Sequence, residues 1–312
     1  MKVLVTGASG FLGAECVAPL RAAGHHVITV DHRGSPDCRV DLADAEAVRR
    51  LPDADTVVHS AAVQYVSRDL PIFARRQYFE RNNIAATRHL VDRYTGAATH
   101  FVNIGTSMMY EQTGQPVYDV TSRWRAQGPY TASKIEAQRY VERMPNPTSC
   151  VIPCIIAGEG RGGLFASLVG LMRRWRVAIS PGPGTHKIHL VHVRDAAALV
   201  CAVVERRATG RFNAASADPL SIVEWIEEMS SELGAGRVRR VTVPLPAIEL
   251  VSAASRYRLL AREQVLMLRY PHVLAVDESL ALGWTPRYRN AEIVRETART
   301  LMRSNRATGA TR

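Results

Sequence analysis

The sequence predicts an α/β protein built on a doubly wound parallel sheet, with a smaller α/β region towards the C-terminus that covers it. Short apolar runs alternate with helix-forming segments up to residue 157, as in consecutive βαβ units. Three glycines at intervals of three also separate the first apolar run from the first helix. The alternation loosens at residues 158–163 and 181–184, which are rich in glycine and proline, so a second region is expected from there.

The strand expected at residues 3–5 is followed by Gly7, Gly10 and Gly13, and then by a helix over residues 14–23. In such a unit the first glycine permits the tight turn, the second lets backbone approach a pyrophosphate, and the third lets helix and strand pack closely. The helix N-terminus then presents free N–H groups to the phosphates. An ordinary turn without a ligand is the alternative. The same turn holds three further candidate cofactor contacts: Ser9, Phe11 and Leu12.

A second strand, expected at residues 26–31, ends in Asp31, which lies 18 residues after Gly13. A carboxylate near this place is suited to bond the ribose hydroxyls of a dinucleotide. It also repels a ribose 2′-phosphate and so favours NAD, although Arg33 can accommodate that phosphate and leaves NADP open. His32, between the two, is a further candidate contact.

The next two strands are expected at residues 39–42 and 56–62. Asp41 and Leu42 would accept from the adenine amino group and cover the ring, unless Asp41 only caps the helix expected at 43–51. The fourth strand ends in small residues, which leave room for a cofactor across the strand ends. The candidate contacts there are Ser60, Ala61 and Ala62, with Gln64 expected beside the substrate.

Further along, the pattern predicts long helices at 72–94 and 130–143 and strands at 101–104 and 150–156, where Pro153 and Ile155 are candidate cofactor contacts. Beyond residue 157 we expect an amphipathic helix at 164–175 and an apolar helix at 196–205. A strand at 210–214 should return to the sheet.

Tyr130 and Lys134 are separated by four residues on one predicted helix, so their side chains lie on the same face. A phenol is a poor general acid–base at neutral pH, but a nearby ammonium and an oxidised nicotinamide favour its phenolate form. Lys134 can also hold the nicotinamide ribose. Thr106 or Ser107, after the 101–104 strand, can donate to the substrate oxygen or cap the following turn, and the two roles are compatible.

Six segments together carry a resemblance: Thr6–Gly13, Val58–Ala62, Asn83 with Thr87, Gly105–Ser107 with Tyr110, Tyr130 with Lys134, and Leu282–Trp284 with Pro286. In content and order they resemble the extended short-chain dehydrogenases/reductases, the NAD-dependent epimerase/dehydratase group. The resemblance implies a Rossmann domain with a C-terminal lid, Tyr130 as general acid–base and Lys134 as ribose anchor. It also implies Thr106 in the hydroxyl role, Asn83 supporting the site, and dimerisation through helices 72–94 and 130–143.

The departures from that family narrow the expected reaction. Dehydratases of this type resemble one another in an Asp–Glu pair after the threonine, where this chain has Ser107 and Met108. Dehydration is therefore not expected. Residues associated with sugar-nucleotide diphosphates are also replaced, by Ile152 and Ile188 among others. Met108 gives the substrate pocket an apolar wall, with Ser107, Gln64 and Tyr130 as the other candidate substrate contacts.

We accordingly expect a dinucleotide-binding domain at 1–160 plus 187–217, a substrate lid at 161–186 plus 218–302, and a flexible tail at 303–312. The expected function is hydride transfer between NAD(P) and a secondary alcohol or ketone of moderate polarity, by a ketoreductase or dehydrogenase. A nucleotide-sugar 4-epimerase with tightly bound NAD is the alternative. A non-catalytic dinucleotide sensor is more remote, because of the Tyr130–Lys134 pair.

Composition limits the other partners. The net charge is +11, but only three of the 40 basic residues are lysines and the arginines are dispersed, which argues against a nucleic-acid footprint. The five cysteines have no metal or redox spacing. The longest apolar run, 196–204, is too short for a bilayer, and a core strand at residue 3 leaves no room for a signal peptide. We expect a cytoplasmic homodimer that binds a small molecule, with no metal, nucleic acid or membrane.

Overall fold

A computed structural model describes residues 1–309, apart from 66, 68, 97, 235–237 and 256–260; side chains 164 and 304–309 are not described. In chain order, the elements of the main α/β part are β1 (Lys2–Thr6), α1 (Phe11–Ala22), β2 (His26–Asp31), β3 (Cys38–Arg39), α2 (Ala45–Arg49), β4 (Thr56–His59), α3 (Arg75–Phe79), a π-helical segment (Glu80–Ala85), α4 (Ala86–Tyr94), β5 (His100–Ile104), a 3₁₀ turn (Ser107–Met109), α5 (Pro129–Glu142) and β6 (Thr148–Pro153).

The remaining elements are β7 (Ile155–Ala157), α6 (Leu164–Trp175), β8 (Val177–Pro181), β9 (Lys187–Ile188), β10 (Leu190–His192), α7 (Val193–Arg206), β11 (Gly210–Ala214), β12 (Leu220–Ser221), α8 (Ile222–Glu232), β13 (Arg239–Val243), α9 (Leu245–Ala254), α10 (Arg262–Arg269), α11 (Asp277–Ala281) and α12 (Asn290–Gly309).

Seven parallel strands form the main sheet in the order β11-β6-β5-β4-β1-β2-β3. The predicted doubly wound sheet is confirmed, and β11 returns to it beside β6, with Phe212 opposite Val151. The strand order reverses at β1, since Val3 pairs with Val27 of β2 on one side and with Thr56 of β4 on the other. Ligands of such sheets bind at this switch point, beyond the carboxyl ends of the strands.

The central strands are covered on both faces. Every residue of β4 and β5 is buried, as expected for parallel strands between two helical layers. One apolar cluster joins the sheet to α1 and α7, through residues such as Cys16 and Val200. The other joins it to α2 and α4, through residues such as Val48 and Leu90. The two layers of helices thus hold in place the carboxyl ends of the strands, where the ligand-binding crevice opens.

A third apolar cluster is formed by the C-terminal elements. Phe165 of α6, Trp225 of α8 and Val294 of α12 pack together in it, and the Phe165 and Trp225 rings stack at 5.5 Å. Helix α12 continues to Gly309 where the sequence analysis expects a tail from residue 303. Residues 310–312 of that expected tail lie outside the described residues. The division into domain and lid stays a prediction.

The strand expected at 150–156 is two strands. The main-sheet strand β6 ends at Pro153, and β7 pairs instead with β10, with Ile155 opposite Leu190. Proline has no N–H to donate to a ladder, and the Cys154 N–H is taken by Ala214 O at 3.0 Å. The chain therefore changes partners at Cys154, which sends Ile155 towards the C-terminal part.

Other boundaries also differ from the sequence expectation, and the strand expected at 39–42 consists of Cys38–Arg39. The strand expected at 56–62 ends at His59, and the helix expected at 72–94 begins at Arg75 and contains the π-helical segment. None of the helices formed by described residues has the length and apolar character that crossing a membrane requires.

Candidate active site

A cavity of about 240 Å³ lies at the carboxyl ends of the main-sheet strands. The strand ends and adjoining loops contribute one wall, and α6, α8 and α10 contribute the other. Its lining brings together most of the predicted site residues: Gly10, Phe11, Leu12, Ser60, Ala62, Gln64, Thr106, Ser107, Met108, Tyr130, Lys134, Pro153 and Ile155. The other ten lie outside this lining: Gly7, Ser9, Gly13, Asp31, His32, Arg33, Asp41, Leu42, Ala61 and Asn83.

The glycine turn at the edge of the cavity packs so closely against neighbouring backbone that side chains would clash there. Gly7 has φ +69°, and a Cβ there would lie 2.7 Å from the Ala61 nitrogen. A Cβ on Gly13 would lie 2.2 Å from Gly7 O. Helix α1 starts at Phe11 with no side-chain cap and no acid in its first turn. This cradle fits a dinucleotide pyrophosphate, because only backbone and a helix N-terminus meet the anion.

Asp31 is fixed at the end of β2. Its carboxylate accepts N–H groups from Ser9 and Arg33, each at 3.0 Å, and His32 Nδ1 lies 3.3 Å away. The side chain is only 9% exposed, so its position relative to the glycine turn is set by backbone. The guanidinium of Arg33 lies 3.3 Å from Asp69. A carboxylate held in this way fits the recognition of a ribose diol.

Asp41 and Leu42 differ in their surroundings. Asp41 pairs with Arg81 at 2.6 Å, whereas Leu42 is buried in the core cluster beside α2 and α4. The alternative that Asp41 caps the next helix is wrong. Helix α2 begins two residues later than expected, and Asp44 caps it through the N–H groups of Glu46 and Ala47.

A buried polar chain connects β1 to α4, where the Thr87 hydroxyl donates to Asn83 O of the π-helical segment at 2.7 Å. His59 lies 2.8 Å from the Thr6 hydroxyl and 2.9 Å from the Thr87 hydroxyl. Burial lowers the pKa of His59 to about 3, with the Lys134 charge adding to the effect. Its imidazole is therefore neutral at pH 7 and serves to join β4 to the helix behind it.

Asn83 extends this chain towards the cavity. Its side-chain oxygen accepts the Val63 N–H at 2.9 Å, and its amide donates to Val63 O at 3.2 Å and to the Ser133 hydroxyl at 2.9 Å. Ser133 in turn donates to Tyr130 O at 2.7 Å. Asn83 thus ties the loop after β4 to α5, which carries Tyr130.

Tyr130 is 5% exposed, and its ring contacts Tyr65 and Phe79 at centroid distances of 5.8 and 5.6 Å. Burial raises the pKa of its phenol, and the Glu263 carboxylate adds to the rise. A hydrogen bond with Thr106 and the Arg161 charge lower that pKa. In the chain by itself these groups hold the phenol protonated. The lowering that the sequence analysis expects from an ammonium together with an oxidised nicotinamide stays a prediction.

Lys134 lies at the floor of the cavity. Its ammonium donates to Ile104 O at 2.7 Å, and burial lowers its pKa to about 8. The lysine is thus held against the end of β5. Among the described residues it makes no ion pair with a carboxylate.

Thr106 has the capping role that the sequence left open. Its hydroxyl accepts from Met108 N at 3.4 Å as the cap of the 3₁₀ turn and is close enough to the Tyr130 phenol to lower its pKa. Its role towards the substrate oxygen stays a prediction. Ser107 is instead buried against the C-terminal part, with its hydroxyl 2.6 Å from His272 Nε2. Gln64 is held through its N–H, which donates to Ser67 Oγ at 2.9 Å.

Sequence reasoning missed three residues around the phenol, namely Tyr65, Arg161 and Glu263. Glu263 of α10 is 3% exposed, and its carboxylate accepts the N–H and hydroxyl of Thr131 at 2.9 and 2.8 Å. Burial raises the pKa of the Glu263 carboxyl, and the nearby Tyr65 and Thr131 lower it. Arg161 lines the cavity. No local pattern marks these residues, because Glu263 reaches Thr131 across 132 positions of sequence.

Comparisons with known proteins agree with this geometry. A family model described as the NAD dependent epimerase/dehydratase family matches residues 3–215. A 3-diazoavenalumate denitrifying reductase of a Streptomyces species is 30% identical over 92% of this chain and 96% of its own. A 2-alkyl-3-oxoalkanoate reductase of Stenotrophomonas maltophilia is 27% identical over 76% of this chain and 77% of its own.

The fold also has close counterparts among solved structures. The dTDP-glucose 4,6-dehydratase DesIV from Streptomyces venezuelae, solved with NAD and TYD bound, superposes with a TM-score of 0.78. It covers 99% of this chain and 98% of its own at 20% identity. This likeness shows the shared arrangement of sheet and helices.

Proposed function

We propose, on the basis that this chain belongs to the NAD-dependent epimerase/dehydratase family, that it is a ketoreductase or dehydrogenase acting at a secondary alcohol or ketone carbon. Membership makes it a nicotinamide-dependent enzyme of the extended short-chain dehydrogenase/reductase type. The observation that carries the proposal is that Tyr130 and Thr106 lie close together in the lining of a largely apolar cavity.

In this proposal Tyr130 is the general acid–base. Its phenol is kept protonated by burial, so it is ready to donate to the oxygen of a ketone when that oxygen gains charge. Thr106, which lies close to the phenol, supplies a second donor to the same oxygen. When bound, the nicotinamide ring supplies or accepts the hydride.

Lys134 and the glycine turn have binding roles. The ammonium of Lys134, held at Ile104 O, would donate to the hydroxyls of the nicotinamide ribose. Gly7, Gly10 and Gly13 would receive the pyrophosphate, and Asp31 the adenosine ribose. Because a carboxylate fixed by two N–H groups repels a 2′-phosphate, we propose NAD before NADP. Arg33 is already paired with Asp69, which weakens it as a 2′-phosphate ligand.

The substrate is proposed to be less polar than a nucleotide sugar. Met108, Ile156, Phe165, Trp225 and Met267 line the cavity, and Ile152 and Ile188 are buried where sugar-nucleotide relatives would need polar groups. Two curated relatives are named as reductases, and one of them acts on an oxoalkanoate. An oxoalkanoate contains the ketone that this reaction requires.

The test is a screen for ketone-dependent oxidation of NADH and NADPH by the purified protein. Tyr130→Phe should abolish turnover and change coenzyme affinity by less than about twofold, since the phenol acts only on the reacting oxygen. Tyr140→Phe removes the same hydroxyl from a half-buried position of the same helix and should leave turnover intact.

Two results would contradict the reductase. Unchanged turnover in the Tyr130→Phe variant would remove the phenol from the mechanism. NAD that co-purifies tightly, with interconversion of sugar nucleotides and no net coenzyme turnover, would establish the 4-epimerase alternative instead.

The cytoplasmic location and the homodimer stay predictions. The dimer is supported by a groove on the outer side of α5 and the π-helical segment, where Ile84, Trp124 and Ala132 lie together. Sedimentation velocity at micromolar concentration would measure the oligomeric state.

A further inference from the structure

Arg161 is a cation in the wall of the cavity. It lies in the glycine-rich loop before α6, and its guanidinium carbon is 5.3 Å from the centroid of the Phe11 ring. Burial lowers its pKa. Within the described part of the chain, its side chain has no carboxylate or carbonyl partner. By contrast, the partly buried Arg93 and Arg211 both pair with carboxylates.

A guanidinium that is partly removed from water and has no partner destabilises the fold unless an anion binds it. The cavity itself offers no anion, since no Asp or Glu is among the described residues that line it. Arg161 shares the cavity with Tyr130 and is close enough for its charge to act on the phenol. The cation is therefore placed to bind a ligand that also reaches the phenol.

The start of α6 adds to this positive field. The helix has 12 residues, begins after Gly163, and has neither a side-chain cap nor an acid in its first turn. Gly162 and Gly163 line the cavity next to Arg161, and a Cβ on Gly162 would meet no atom within 4 Å. Space and a helix N-terminus thus lie on the same side as the guanidinium.

We infer that Arg161 binds the carboxylate of the substrate, which would be a keto acid or hydroxy acid with an apolar body. This inference rests on the proposed function and names its substrate class. The planar guanidinium fork matches a carboxylate with two parallel N–H···O bonds. A single free arginine in a cavity of about 240 Å³ with apolar walls suits one negative charge better than a nucleotide diphosphate.

The decisive comparison uses matched substrates in the holoenzyme: 3-oxohexanoate and its uncharged methyl ester. Arg161→Gln should lower kcat/KM for the acid by about 10- to 100-fold, mainly through KM. It should change kcat/KM for the ester by less than about threefold. Loss of the Arg161 charge also alters the Tyr130 phenol, but that effect is common to both substrates and cancels in their ratio.

Two further variants complete the design. Arg161→Lys restores the charge without the fork and should recover part of the preference for the acid. Arg173→Gln removes the same charge from an exposed position at the far end of α6 and should leave the preference unchanged. An acid-to-ester ratio that is the same in Arg161→Gln as in the parent protein would overturn the inference.

A binding measurement separates this inference from the proposed reaction. Calorimetric titration of the coenzyme-loaded protein with hexanoate and with hexanamide needs no turnover. Hexanoate should bind at least about tenfold more tightly, and Arg161→Gln should abolish that difference. If this holds but neither oxo substrate is reduced, the carboxylate site stands and the ketoreductase fails. Equal affinity of the parent protein for hexanoate and hexanamide would show that Arg161 does not bind a carboxylate.

Discussion

The phenol of Tyr130 lies between opposite charges that come from distant parts of the chain. Glu263 raises its pKa, and Arg161 and the Thr106 hydroxyl lower it, against a rise from burial. A phenol pKa near neutrality is useful to an acid–base catalyst, whereas a higher one keeps the phenol protonated but makes it a weaker acid. The protonation state of the group we propose as catalytic therefore depends on burial and on residues that are distant in the sequence.

Glu263→Gln tests this balance. Gln keeps an oxygen that accepts from Thr131 but removes the negative charge, so the pKa of Tyr130 should fall. Oxidation of an alcohol requires the phenolate, and its kcat/KM at pH 7 should rise by about threefold to tenfold. The low-pH limb of the pH profile should move to lower pH. Glu249→Gln, at an ion pair with Arg269 outside the cavity, is the control, and an unmoved limb in Glu263→Gln refutes the coupling.

Lys134 gives a second residue-scale prediction, about stability. Its pKa is about 8 in the fold against 10.5 in water, so between these values the unfolded chain binds more protons and stability rises with pH. Below pH 8 the buried ammonium costs about 3 kcal/mol, which its hydrogen bond to Ile104 O offsets by about 1 kcal/mol. Lys134→Met should therefore stabilise the coenzyme-free protein at pH 7 by about 2 kcal/mol while abolishing turnover.

Urea unfolding at pH 7 and pH 10 measures this difference. The gain from Lys134→Met should shrink towards zero at pH 10, because the parent protein's lysine is then mostly neutral in the fold. Lys187→Met, at an exposed ion pair with Glu224, should lower stability by less than about 1 kcal/mol at either pH. A Lys134→Met variant that is less stable than the parent at pH 7 would show that burial of the charge is not the controlling effect.

At the scale of elements, the first strand–turn–helix unit places the strictest limits on which residues it can contain. Its three glycines are needed for contact distances that no side chain permits, because Gly7 meets Ala61 after β4 and Gly13 meets the Gly7 carbonyl. The unit thereby places the start of α1 at the switch point of the sheet. The π-helical segment has a similar role on the other side, since it carries Asn83 to Val63 and Ser133.

Gly13→Ala and Gly170→Ala form a matched pair of helix substitutions. The added methyl of Gly13→Ala would lie 2.2 Å from a backbone oxygen, whereas that of Gly170→Ala meets nothing within 4 Å. We expect Gly13→Ala to lose about 2–4 kcal/mol of stability and more than tenfold in NAD affinity. Gly170→Ala should gain up to about 1 kcal/mol. Thermal unfolding and coenzyme titration would measure both, and full NAD affinity in Gly13→Ala would contradict the pyrophosphate cradle.

At the scale of the whole molecule, the C-terminal segments are tied to the main sheet by buried polar contacts. Trp284 Nε1 donates to Asp195 O at 2.9 Å, and the Asp195 carboxylate accepts the N–H groups of Arg287 and Tyr288 at 3.0 Å. Ser107 meets His272 on the opposite side. The same C-terminal part contributes Trp225, Gln264 and Met267 to the wall of the cavity.

The net charge of +11 also acts at this scale. A positive field speeds the encounter with an anionic coenzyme, and salt screens it within about 10 Å at 0.1 M. The kcat/KM for NADH should fall severalfold between about 0.01 and 0.15 M salt, while kcat at saturating NADH stays constant. Stopped-flow binding of NADH would measure the same dependence directly. A flat response would mean that the dispersed arginines do not steer the coenzyme.

The sequence alone determined what is encoded by short spacings: the alternation of strands and helices, the glycine turn, the carboxylate after β2, and the pairing of Tyr130 with Lys134 on α5. Each follows from a local period or from a conformation that only one residue type adopts. Tertiary structure decided the rest, including the division of 150–156 between two sheets and the phenol pKa. It also brought Glu263 and Arg161 beside Tyr130. Those features depend on burial and on charges separated by many residues, which no local pattern records.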